Sequence, residues 1–136
     1  MSDRELIQAA LTARERSYSP YSGFMVGAAL LSKSGKVYTG CNIENAAYTP
    51  TNCAERTAFF KAVSEGEHEF SAIAVAGWPR VGEAGYAFPC GVCRQVMMEF
   101  CDPNRFRILV AAGEEEYRVF TLDELLPEGF GPEDLT

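Results

Sequence analysis

Two short cysteine-bearing segments constrain this chain more than any other feature. Asn52-Cys53-Ala54-Glu55-Arg56 sets a sulfur two positions before a carboxylate, and Pro89-Cys90-Gly91-Val92-Cys93-Arg94-Gln95 carries a C-x-x-C turn of the kind that wraps zinc. For one ion to take all three sulfurs, segments far apart in sequence must meet at one point of the fold. Three protein ligands leave the fourth tetrahedral position of Zn²⁺ to water, which is the layout of a catalytic site rather than a closed structural one. Glu55 would stand beside that open position. A fourth sulfur would reverse the reading. Cys101 lies too far along the helix expected after Cys90, a rise of roughly 12 Å from Cys93, whereas spacing leaves Cys41 open, although a small residue ending a strand reads as core. Five cysteines is an odd number, and their grouping suits a metal site in a reducing compartment better than a disulfide framework.

The rest of the pattern supplies elements to bring those segments together. Ser2 with Glu5 forms a capping box, and Leu6, Ile7, Ala10 and Leu11 follow at helical spacing, which predicts a helix over 3–17. Tyr18 to Gly23 breaks it. Phe24 to Ser32 is an almost unbroken apolar run and reads as a buried strand, with Lys33-Ser34-Gly35-Lys36 as a turn and 37–41 as the returning strand. A helix over 53–64 ends at Gly66. A third strand spans 70–76, a loop runs over 78–88, and a helix follows from Pro89-Cys90 to about Phe100. Strands over 106–111 and 117–120 and a short helix capped by Thr121 and Glu124 complete the order. Helices alternating with strands after an opening hairpin predict one domain over 1–136, a three-layer α/β/α sandwich around a mixed five-stranded sheet.

Charge narrows the partners. With 19 acidic against 12 basic residues the net charge is -7, and the basic residues are scattered, so a nucleic acid polymer is not expected as a ligand. No apolar run approaches a membrane span, and the N-terminal segment opens directly into an amphipathic helix without an apolar signal core, so a cytoplasmic protein with no membrane partner is expected. His68, the single histidine, sits between Glu67 and Glu69, which removes histidine-based nucleophilic catalysis.

Cys53-Ala54-Glu55 paired with Pro89-Cys90-Gly91-Val92-Cys93 resembles the motif pair of the zinc-dependent cytidine deaminases. The likeness continues in Pro20 to Ala29, in Gly40-Cys41-Asn42-Ile43-Glu44-Asn45-Ala46, and in Leu125-Leu126-Pro127 with Phe130, and it points to the small homotetrameric members. The resemblance implies that Cys53, Cys90 and Cys93 hold one Zn²⁺ per chain and that Glu55 moves protons. It implies a nucleoside site in which Asn42 and Glu44, with Ile43 between them, meet the ribose, Phe24 packs on the pyrimidine, and the backbone at Ala54 reads the base. Ala46, Tyr48 and Phe130 would reach a neighbouring subunit's site in the tetramer. Arg56 is the expected charge partner of the sulfurs, since three thiolates on Zn²⁺ leave an excess of negative charge. Phe88 stands where many relatives have a small polar residue.

The implied reaction is hydrolytic deamination of cytidine and 2′-deoxycytidine to uridine and 2′-deoxyuridine, with a carboxyl that serves first as base and then as acid. Two other readings keep the cysteines. A deaminase of a nucleoside antibiotic, similar to blasticidin S deaminase, would share them, although the segment 42–46 favours an ordinary nucleoside. A non-catalytic zinc-stabilised binding module would not need Glu55. Deaminases of polynucleotides and of deoxycytidylate commonly have histidine where this chain has Cys53, and the former also need a basic surface.

Overall fold

The computed structural model describes residues 1–135. Its centre is a five-stranded sheet in the order β2-β1-β3-β4-β5, built from β1 (Phe24–Ser32), β2 (Val37–Cys41), β3 (Phe70–Pro79), β4 (Arg107–Ala111) and β5 (Tyr117–Thr121). Only β3 and β4 run parallel; every other pairing is antiparallel, so the sheet is mixed as expected.

Alternation along β3 explains the two covered faces. Ala72, Ala74 and Ala76 point to one side, where α1 (Asp3–Arg14) lays Leu6, Ile7 and Ala10 against them. Ile73 and Val75 point to the other, where α2 (Ala54–Ser64), α3 (Gly91–Phe100) and α4 (Leu122–Leu125) bring Phe59, Met97 and Leu122 into one core. Both faces of β3 are thus buried, which is why its sequence lacks polar alternation. The three-layer arrangement follows directly.

Local signals placed most boundaries. The capping boxes of Ser2 with Glu5 and of Thr121 with Glu124 are both formed. β1 and β2 span the expected residues, joined through a turn in which Gly35 takes a φ of 94°. Two boundaries differ by three residues, and others by one, such as the starts of α2 at Ala54 and β4 at Arg107 and the end of β5 at Thr121. α1 ends at Arg14 rather than Ser17, because the next amides turn back three residues, Arg16 to Ala13 and Ser17 to Arg14, instead of four. Trp78 and Pro79 belong to β3 rather than to the following loop, since they pair with Met25 and Phe24 of β1. Proline suits that last position, having no N–H to offer a ladder. Buried Arg14 ties these strand ends together, donating to the carbonyls of Met25, Trp78 and Pro79 while its guanidinium lies 4.1 Å from the Trp78 ring centroid. A 3₁₀ turn over Pro132–Leu135 lies beyond the elements the sequence pattern marked. No helix among the described residues is long and apolar enough to cross a membrane.

Candidate active site

Cys53 and Cys90 are the N-caps of α2 and α3, each with extended backbone angles and no side-chain capping bond. Their sulfurs are therefore free to face one another. Sγ of Cys53 lies 3.8 Å from that of Cys90, which lies 3.6 Å from that of Cys93, one turn into α3. All three sulfurs fall within 4.8 Å of one another, the only group of three or more potential ligands so gathered among the described residues. A soft three-sulfur set at this spacing fits a single zinc ion. Cys41 instead donates to the Arg16 carbonyl at 3.3 Å, and Cys101 is buried at the end of α3, where burial pushes its thiol pKa up. Neither joins the group.

Charge is arranged around the sulfurs as their chemistry requires. The Cys93 thiol and the Arg56 guanidinium both bond the Cys53 sulfur and hold its pKa down against the cost of burial. That same bond to Cys53, with burial, raises the pKa of the Cys93 thiol. Arg56 Nη2 lies 3.3 Å from Cys53 Sγ, and although burial opposes it, bonding to Cys53 and Cys93 keeps the guanidinium above its ordinary pKa. Helix N-termini add partial positive charge at both caps.

Glu55 follows in the first turn of α2 and is 4% exposed. Burial raises its carboxyl to about 7, the nearby Cys53 sulfur adding to the effect. A carboxyl poised there can both take and give a proton near neutral pH. It lines a cavity of about 190 Å³ together with Cys53, Cys90, Ala54, Phe24 and Asn42, so six of the expected residues meet at one place.

Others sit elsewhere. Glu44 lies in a neighbouring concavity with Tyr21, Ser22 and Tyr48, and the two hollows share Thr51. Its carboxylate accepts the amides of Tyr21 and Ser22 and the Ser22 hydroxyl, contacts that hold its pKa low. Asn42 clasps its loop to β1, accepting from the Val26 amide at 3.0 Å and donating to the Phe24 carbonyl at 2.8 Å. Ile43 makes backbone bridges to Tyr18 and Asn52 with its side chain exposed. Ala46, Tyr48 and Phe130 are exposed and line no part of the Glu55 cavity. Tyr48 is 72% exposed at a φ of 64°, an uncommon conformation for a bulky residue. Sequence reasoning missed Val26, Val75, Ala87, Thr51 and Asn52 as lining residues. The strand alternation of β1 and β3 could have found the two valines, but nothing local marks the rest.

The family described as the cytidine and deoxycytidylate deaminase zinc-binding region matches residues 1–109. A cytidine deaminase of Sporosarcina psychrophila is 48% identical over 136 residues, covering 100% of this chain and 96% of its own. One from Halalkalibacterium halodurans is 48% identical over 135 residues, covering 99% of this chain and 98% of its own. Among solved structures, the 1.6 Å crystal structure of cytidine deaminase from Burkholderia pseudomallei superposes with a TM-score of 0.86 at 47% identity, covering 96% of this chain and 100% of that one.

Proposed function

Because this chain belongs to the cytidine and deoxycytidylate deaminase zinc-binding family, we propose that it is a cytidine deaminase, hydrolysing cytidine and 2′-deoxycytidine to uridine and 2′-deoxyuridine with release of ammonia. The observation that carries this reading is the buried Glu55 carboxyl lining one cavity with two of the three clustered sulfurs. Cys53, Cys90 and Cys93 hold one Zn²⁺, which when bound supplies the Lewis acidity that makes water a nucleophile near neutral pH.

The chain's own groups do the remaining work. Glu55 accepts a proton as water adds to C4 of the pyrimidine and delivers it to ring N3. It then protonates the departing amine. The C4–O bond forms, the C4–N bond breaks, and the two protons of water end on N3 and on ammonia. Arg56 offsets the charge of the sulfurs. The volume of about 190 Å³ is below the roughly 300–1,000 Å³ usual for a whole ligand, so the cavity takes the pyrimidine. Phe24 packs on the ring, and Ala54 at the first turn of α2 presents its backbone to the base. The ribose then points past Thr51 toward Asn42, Ile43 and Glu44. Asn42 retains one side-chain N–H beyond its bond to Phe24, and the Glu44 carboxylate retains lone pairs beyond its loop contacts.

The chain acts as one domain over 1–136 in a homotetramer whose sites are completed by neighbours. Exposed Tyr48 and Phe130, with Ala46, support this reading, since they are prominent in the chain yet stand outside its own cavity. Three functional thiols suit the reducing cytoplasm. Incubating the zinc-loaded protein with each nucleoside tests the activity: uridine or 2′-deoxyuridine should appear with ammonia in equal amounts. Zinc retention without ammonia would refute this activity and leave the binding module and the antibiotic deaminase as the readings that keep the cysteines. For the assembly, Phe130→Ala and Cys53→Ala subunits, once shown to exchange, should regain activity on mixing if sites are shared. No gain, with Phe130→Ala itself impaired, would count against it.

A further inference from the structure

The cavity has one wall that the deamination chemistry leaves unused. Phe88, two residues before Cys90, lines it together with Glu55, Cys53 and Cys90. Its ring packs in an edge-to-face arrangement with Phe120 of β5 at 5.4 Å between centroids. Arg118, also on β5, places its guanidinium 5.5 Å from the Phe88 ring centroid, 5.1 Å from that of Phe120 and 5.7 Å from that of Tyr86. A cation among three aromatic faces is held by their quadrupoles and in turn holds the rings together.

The backbone at Phe88 is pinned on both sides. Before it, Ala87 sits so close to β3 that a Cβ on Gly77 would meet the Ala87 Cβ at 3.0 Å and a Val26 methyl at 3.0 Å, and would fit only if one of them gave way by a few tenths of an ångström. After it, Arg94 donates to the Pro89 carbonyl at 2.7 Å and to the Leu125 carbonyl. Phe88 is 39% exposed, and its contacts with Phe120 and Arg118 brace the ring where it lines the cavity.

We propose that Phe88, braced by Phe120 and Arg118, determines specificity by closing the reacting end of the cavity against cytosines enlarged beside C4, at C5 or on the amino group. The inference rests on the reading of this cavity as the pyrimidine pocket. A braced aromatic ring discriminates by volume, because a methyl added against it must displace the ring and break the contacts that hold it. Phe120 and Arg118 act through Phe88 and are positioning residues.

The test compares zinc-loaded wild type with Phe88→Ala, using cytidine, 5-methylcytidine and N4-methylcytidine. One methyl in an apolar pocket is worth roughly 10- to 200-fold in kcat/KM. The ratio of kcat/KM for a methylated substrate to that for cytidine should therefore rise at least about 10-fold in the variant, whatever happens to the cytidine rate itself. Phe88→Leu serves if the alanine variant does not fold. Phe120→Leu should move the ratio in the same direction by less. Affinities for the products uridine and 5-methyluridine, read by calorimetry, test the wall without turnover. Their ratio should shift in the same sense. Failure of wild type to deaminate cytidine would refute the activity while leaving the wall to be judged by these affinities. Ratios within about twofold of wild type, in folded variants that bind zinc, would overturn the proposal.

Discussion

Gly40→Ala should damage the active site from outside it. Gly40 lies on β2 directly beneath α2, and a Cβ there would meet the Ala54 carbonyl oxygen at 2.6 Å, the Ala58 amide nitrogen at 2.6 Å and the Thr57 Cβ at 2.9 Å. Two of those atoms are helix backbone, so no side chain can swing aside. Ordinary contact begins near 3.4 Å, and α2 must therefore retreat by about 0.8 Å at its first turns. Overpacking of this kind costs about 1–3 kcal/mol, equivalent to a fall in Tm of several degrees in a domain of this size. Function should suffer more. The displaced turns carry Cys53 as N-cap and Glu55 in the first turn, and a misplacement near 1 Å can cost on the order of 10²-fold in rate. The assay pairs urea unfolding with kcat/KM for cytidine at matched zinc content. Loss of rate beyond what the unfolded fraction explains is expected. A variant with wild-type stability and rate would show that the contact of α2 with β2 does not position the site.

Glu55→Gln should retain zinc and lose at least about 10²-fold in turnover. The same variant tests the raised carboxyl: because its folded pKa of about 7 exceeds the ordinary 4.5, the metal-free wild type should lose stability as pH rises from about 4.5 and carry the full cost above about 7. That cost is about 3 kcal/mol, and it should be absent from the pH profile of the glutamine variant; coincident profiles from urea melts would contradict it. Arg56→Ala removes the cation beside the Cys53 sulfur and should weaken zinc affinity by roughly 10-fold or more in a chelator competition, whereas unchanged affinity would mean that the helix ends suffice.

The parts of the fold that were legible in sequence are those whose cause is local. The apolar run of β1, the turn at Gly35 and the two capping boxes each specify their element from a few adjacent residues. The extension of β3 through Trp78 and Pro79 was not legible, because a proline after a bulky aromatic reads as a loop until its partners, Met25 and Phe24, are known. The site divides in the same way. Cys53, Glu55, Cys90 and Cys93 stand at helix starts that proline, glycine and small residues announce. Phe88 acquires its meaning only from Phe120 and Arg118, which arrive on a strand thirty or more residues later. Asn42 shows a further limit: its side chain already joins the Val26 amide to the Phe24 carbonyl, a shaping role that no motif distinguishes from ligand binding.

The arrangement of three sulfurs beside a buried carboxyl is tested most directly by X-ray absorption at the zinc edge of the purified protein. The expected result is one zinc per chain with three sulfur ligands and one oxygen or nitrogen ligand. Four sulfurs would contradict it, making the ion a structural one and leaving Glu55 with no open position to serve.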